Sequence, residues 1–151
     1  MPKAKNVKQR LTELFSGQKL AVLSTARPDG HPYASLVAFV AADDIRYMYF
    51  ATSRATRKYA NLQTDARVAM LVNNSMNTSA DFYQAIAATG TGEAIELSTD
   101  ATSNAMNLYL DKHPYLEDFV RSPSCALFQV VIKTYYLVEN FQNVTEVHFQ
   151  E

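Results

Sequence analysis

Tyr33-Ala34-Ser35-Leu36-Val37-Ala38-Phe39-Val40 is the stretch on which the architecture turns. Its odd positions read Tyr, Ser, Val, Phe and its even positions Ala, Leu, Ala, Val, so neither face of the strand it predicts is clearly polar. A strand with one wet face alternates apolar with polar residues. Here both faces are expected to be covered, either in a small barrel or in a sheet sealed by helices and a second subunit.

Working outward, three further short runs read as strands: Leu20 to Thr25, Ile45 to Thr52 and Val68 to Asn73. Pro28-Asp29-Gly30 and Ala42-Asp43-Asp44 are turn chemistry and join the first three strands as an antiparallel meander. Before them, Val7, Leu11, Leu14 and Phe15 recur at helical spacing with Gly17 as a stop. A strand around Ala85 to Ala94 contains Gly90 and Gly92, which point to a bulge or a close backbone approach. Ser98 or Thr99 can cap a helix carrying Ala101, Ala105, Met106, Leu108 and Tyr109, and His113-Pro114 marks a break before a short helix through Val120. Leu127 to Val138 and Val144 to Phe149 return to strand. The whole reads as one mainly β (α+β) domain over residues 1–151 with flanking helices.

Of 151 residues, 48% are hydrophobic and 19% charged, a composition that argues against intrinsic disorder. The net charge of −1 lacks the basic excess of a protein held by nucleic-acid phosphates, so no nucleic-acid partner is expected. The lone cysteine, Cys125, excludes a disulfide framework and fits a reducing cytoplasm; with Ala126, Leu127 and Phe128 beside it, a buried thiol is expected. Met1-Pro2-Lys3-Ala4-Lys5 leads into no apolar run, and no stretch approaches the ~20 apolar residues of a membrane helix. His31, His113 and His148 lie far apart, without a paired metal-ligand spacing, so no metal is expected. GxSxG, GxxxxGK[ST] and GxGxxG are all absent. Asp43-Asp44 and Glu117-Asp118 are read as solvated pairs, and Tyr135 and Tyr136 as interface candidates. No catalytic acid or base is assigned.

The chemistry-bearing segment follows the third strand. Arg54, Arg57 and Lys58 place three cations within five residues, next to the hydroxyls of Thr52, Ser53 and Thr56, where a short helix of about two turns is expected to begin. Helix-start N–H groups, hydroxyls and fixed cations together favour a phosphate; a solvated basic turn has the same spacing. Two or three charge-assisted hydrogen bonds contribute about 1.5–3 kcal/mol each, whereas association costs at least about 4 kcal/mol. The ligand must therefore bury apolar area as well, as a phosphate carried on an aromatic ring system would.

The order Leu20–Thr25, then Asp29-Gly30-His31-Pro32-Tyr33-Ala34-Ser35, Tyr49-Phe50-Ala51-Thr52, Thr56-Arg57-Lys58 with Asn61-Leu62, and Ala66-Arg67-Val68-Ala69 resembles the pyridoxamine 5′-phosphate oxidase-like FMN-binding split barrels. Gly90-Thr91-Gly92-Glu93-Ala94 is similar to the family's central strand, His113-Pro114 to its helical insert, and Tyr136 to Phe141 to its closing strand. The resemblance implies a split β-barrel of about six antiparallel strands that binds FMN. Thr52, Thr56, Arg57 and Lys58, with neighbouring Ala51 and Ser53, would hold the phosphate, and Ser35, Leu36 and Val37 would run along the ring. It also implies an FMN-dependent oxidoreductase and a homodimer whose flavin site lies at the subunit interface, within reach of the partner's Asn73 and Asn74. Oxidases proper hold their substrate with an Arg-x-His pair near the carboxyl end; here no Arg follows Arg121, and His148 lies in Glu146-Val147-His148-Phe149. The resemblance therefore points to the family's cofactor rather than to its named reaction. A non-catalytic flavin-sensing module, a haem-binding barrel and a deazaflavin-binding barrel are the alternatives on the same scaffold.

Overall fold

The computed structural model describes residues 5–98 and 104–150. Strand β3 (Tyr47–Ser53) shows why polar alternation is missing. Met48 and Phe50 belong to an apolar cluster inside the curved sheet, while Tyr49 and Ala51 belong to a second cluster on its outside. Both sides are buried, so neither could be polar without orphaned groups.

Six antiparallel strands close into a barrel: β1 (Leu20–Ala26), β2 (Pro32–Ala41), β3, β4 (Arg67–Asn73), β5 (Ile86–Leu97) and β6 (Cys125–Glu139). Their order is β3-β2-β1-β4-β5-β6, and β3 pairs with β6 from Tyr47↔Val131 to Ser53↔Cys125 to close the ring. A seventh strand, β7 (Asn143–His148), is added to β6 outside the ring. Closure removes the exposed edges that a strand run this apolar would leave open to pairing. The expected meander β1-β2-β3 is present, and so is the expected irregularity in β5, where the register with β6 shifts between Thr91 and Gly92. A Cβ on Gly92 would stand 1.9 Å from the Val131 carbonyl oxygen, so only glycine admits this approach.

Helix α1 (Val7–Gly17) closes one side of the barrel with Leu11, Leu14 and Phe15. Its start is a capping box in which Asn6 Oδ1 accepts from Gln9 N–H (2.8 Å) and Gln9 Oε1 accepts from Asn6 N–H (2.9 Å). Inside the barrel Phe50 stacks on Phe128 at 5.1 Å. The outer cluster forms where α4 (Asn104–Lys112) and α5 (Glu117–Arg121) cover β3, the end of β2 and the start of β6 with Met106, Tyr109 and Val120. The expected cap at Thr99 and the turn containing Ala101 lie outside the described residues.

Three expectations need correction. The third strand begins at Tyr47, because Ile45 sits in a turn at φ 57°, donates to Ala42 O (2.9 Å) and accepts the Tyr135 hydroxyl (2.6 Å). A β-branched residue in that backbone region costs about 1–3 kcal/mol, offset by the burial of the Ile45 side chain. Tyr135 itself is a core residue, its ring packed against Phe15, whereas Tyr136 faces outward. Finally, the β4–β5 connection, read as loop then strand, contains a one-turn helix α3 (Asp81–Gln84) with Asp81 Oδ2 accepting Thr78 N–H.

Candidate functional site

Strand β3 ends where the barrel wall meets helix α2 (Arg57–Thr64), and the turn between them is built from hydroxyls. Thr56, in extended backbone, is the N-cap of α2: its Oγ1 accepts Tyr59 N–H (3.2 Å) and donates to Ser53 O (3.0 Å). Thr52, buried at the strand end, lies 2.8 Å from Thr56 Oγ1, and Ser53 Oγ accepts Ala55 N–H (3.2 Å). The cap satisfies Tyr59. The N–H groups of Arg57 and Lys58, the first two of the helix, have no backbone partner among the described residues and head the positive end of the helix dipole.

In front of this turn is a cleft of about 250 Å³. Leu36, Val37 and Ala38 of β2 and Ala51 of β3 form one wall, Thr52, Ser53, Thr56 and Lys58 its polar end, and Tyr109, Leu116 and Phe119 the far wall. Burial pushes the Lys58 ammonium below its usual range, and no carboxylate pairs with it among the described residues. A half-buried cation beside two helix-start N–H groups is an electrostatically favourable setting for an anion.

The three cations separate. Lys58 enters the cleft. Arg57 is exposed and lies outside the cleft lining. Arg54, grouped with them from spacing, turns away: it donates to Glu96 Oε2 (2.6 Å) and to the Tyr59 hydroxyl (2.8 Å). The signal for this, Glu96 on a strand 42 residues later, is invisible to local pattern.

Of the ring-side candidates, Leu36 and Val37 line the cleft, whereas Ser35 shares the strand face of Val37 and Phe39 and its buried Oγ has no hydrogen-bond partner among the described residues. Asn73 and Asn74 serve their own loop: Asn73 Oδ1 accepts Ser75 N–H (3.0 Å) and Asn74 Oδ1 accepts Ile86 N–H (2.7 Å). Neither lines this chain's cleft. The far wall was not found from sequence; Tyr109 reads there as ordinary helix periodicity, yet its hydroxyl donates to Ala38 O (3.3 Å) and holds α4 against β2.

Of the histidines, none lines the cleft. His113 is buried at the end of α4 with Nε2 2.7 Å from Phe39 O, His31 is exposed beside Asp29, and His148 lies 3.0 Å from both Thr134 Oγ1 and Glu146 Oε1. Cys125 is buried and its thiol is pushed up by that burial, which makes it a packing residue.

The profile of the pyridoxamine 5′-phosphate oxidase family matches residues 7–139. The chain belongs to that family. None of the curated proteins matches its sequence. Among solved structures, a haem-binding protein from Mycobacterium smegmatis superposes with TM-score 0.82 at 14% identity over 97% of this chain, which spans 60% of that longer protein. The haem storage protein HutZ from Vibrio cholerae matches with TM-score 0.69 at 14% identity, covering 85% of this chain and 92% of the other. A putative pyridoxamine 5′-phosphate oxidase from Listeria innocua gives TM-score 0.67 at 13% identity over 88% and 98%. At these identities the likeness is one of fold. As for membranes, no helix among the described residues is long and apolar enough to cross one.

Proposed function

We propose that this family member binds FMN in the cleft between β2, the β3–α2 turn and α4, and works as a homodimeric FMN-dependent oxidoreductase. The observation that carries the reading is Lys58, half-buried and without a carboxylate partner among the described residues, beside Thr52, Thr56 and the N–H groups at the start of α2. These residues fit a phosphate: a dianion there would meet an ammonium and two helix N–H groups, with the Thr52 and Thr56 hydroxyls lining the same polar end. Leu36, Val37, Ala38 and Ala51 supply the apolar wall that a ring requires. Bound flavin supplies the redox chemistry by accepting and donating a hydride, and the protein binds and orients it. Lys58 holds the phosphate end, Tyr109 fixes the far wall, and Leu116 and Phe119 exclude water.

The homodimer is supported by the outer face of the barrel. Leu36, Val22, Leu71, Thr89 and Tyr136 are cross-strand neighbours in one row over five strands, and Leu36 is 64% exposed. Leu20 and Val144 extend the apolar patch at 53% and 58%. Surfaces of this kind mark association sites. The cleft borders the patch at Leu36, and at about 250 Å³ it falls below the usual cofactor-pocket range of roughly 300–1,000 Å³. A second copy on this face would enlarge and close it.

Haem is the second reading, supported by the haem-binding neighbours of the same fold. The three histidines disfavour it, since each is placed away from the cleft. Mass spectrometry and the visible spectrum of the purified protein separate the readings: a flavin spectrum with FMN released on denaturation is expected, a Soret band selects haem, and a shifted spectrum with a different ligand mass selects a deazaflavin. Colourless protein that takes up no added FMN rejects the proposal. Turnover with a reduced nicotinamide donor and an electron acceptor distinguishes an oxidoreductase from a sensing module.

A further inference from the structure

A second cavity, of about 230 Å³, opens on another side of the barrel, between the last turn of α1, the β2–β3 turn and the end of α4. Its floor is apolar, formed by Phe15, Val40 and Ile45, and Lys112 enters it from α4. The Lys112 ammonium has three protons to donate. One goes to Phe15 O (2.9 Å), and Nζ stands 3.9 Å over the centre of the Phe39 ring. Capping the end of α1 explains the first contact and leaves the cavity unexplained. No carboxylate among the described residues forms an ion pair with Lys112; Asp43 is at the cavity rim and does not reach it. A desolvated cation that faces a hollow without a counter-ion gains from any anion able to enter.

We propose that this cavity is a separate binding site for a small apolar monocarboxylate, its head on Lys112 and its tail on Phe15, Val40 and Ile45. The other polar atoms restrict the class. Thr12 and Ser16 also line the cavity, but both hydroxyls donate to carbonyls of their own helix, Lys8 O (2.8 Å) and Glu13 O (3.2 Å), so neither has a proton left for an anion. One ammonium matches a single negative charge, and the Asp43 carboxylate at the rim disfavours a second. The volume lies below the roughly 300–1,000 Å³ of pockets for larger ligands.

The charge state agrees with this geometry. Burial brings Lys112 down to about 8, so it is mainly protonated at pH 7 and mainly neutral at pH 10. Asp43 from the β2–β3 turn lines the same cavity, and His113 follows Lys112 at the end of α4; His113 is lowered by burial and by repulsion from Lys112 and from Lys19, the residue before β1. Binding should therefore weaken as pH rises through the lysine's titration.

The test uses sodium pentanoate as probe in ligand-observed NMR titrations of the full chain at pH 7 and pH 10, with succinate, phosphate and chloride for comparison. Saturable pentanoate binding at pH 7 is expected, weaker by at least about tenfold at pH 10 and in Lys112→Gln, the factor for one charge-assisted hydrogen bond. Ala42→Leu, which fills the cavity and keeps the lysine, should also abolish it, so the test survives if Lys112→Gln folds poorly. No binding, equal binding in the variants, no pH dependence, or equal competition by phosphate or chloride would overturn the site. Flavin content is not read in this experiment, so either proposal can fail alone.

Discussion

Arg54 donates to Glu96 Oε2 at 2.6 Å while Tyr59 donates to Glu96 Oε1 at 2.9 Å, and Arg54 also donates to the Tyr59 hydroxyl. This triangle ties the β3–α2 turn and α2 to β5, and so braces the helix start against which a phosphate would sit. Burial alone would raise the Glu96 carboxyl, but the hydrogen bonds from Arg54 and Tyr59 outweigh it and hold it below its ordinary 4.5. A carboxyl depressed in the folded state stabilises above its unfolded value, and that contribution is lost as pH falls through the folded one. Glu96→Gln is expected to lower the melting temperature at pH 7 by only about 1–2 °C, since the pair is partly exposed. The gap should narrow as pH falls below the carboxyl's ordinary 4.5 and through its lowered folded value; a gap that stays constant down to acid unfolding would contradict the ion-pair account.

The two remaining cations should separate in binding. Lys58→Ala is expected to weaken FMN by about 10–100-fold, the loss of one charge-assisted hydrogen bond, with little change in melting temperature. Arg57→Ala, altering an exposed side chain outside the cleft, should cost less. Fluorescence titration of apoprotein with FMN measures both, and equal losses would place the two heads in the same role.

Gly92→Ala should be far more damaging than Gly90→Ala. At position 92 the new methyl meets the Val131 carbonyl 1.9 Å away, which is backbone; at position 90 it meets Tyr135 Cε1 at 2.7 Å, a side-chain contact and less close. Overpacking costs typically about 1–3 kcal/mol, and the backbone clash should lie at or above the top of that range. Urea unfolding compares them, and similar midpoints would show that the bulge is not rigid.

Stability should rise between pH 7 and pH 9. Burial lowers Lys112 to about 8, so the unfolded chain holds more protons there than the folded one, and the slope is positive. From the top of that window upward the buried Cys125 thiol, and at higher pH the Tyr135 hydroxyl, both raised by burial, oppose it. Chemical unfolding of the wild type and of Lys112→Met over this range reads the effect; an unchanged slope in the variant would assign it elsewhere.

Much of the site's composition is legible from residue order. Thr56 as an N-cap three residues before Tyr59, and the hydroxyls at a strand end, follow from local backbone chemistry that spacing records. What spacing could not separate is three cations within five residues, because their partners come from different strands and helices.

Apart from the start of β3 and the helix α3, residue pattern alone determined the succession of strands, the α2 start and the glycine-dependent approach in β5, because each rests on side-chain volume, periodicity or backbone freedom within a few neighbours. Only the tertiary structure decided that Arg54 faces Glu96, that Tyr135 is core while Tyr136 is surface, and that Tyr109 walls the cleft. Those assignments depend on barrel closure through β3 and β6 and on the docking of α4, which bring together hydrogen-bonded groups 42 to 90 residues apart. Burial and charge pairing are properties of that assembled arrangement, and no short stretch of chain contains them.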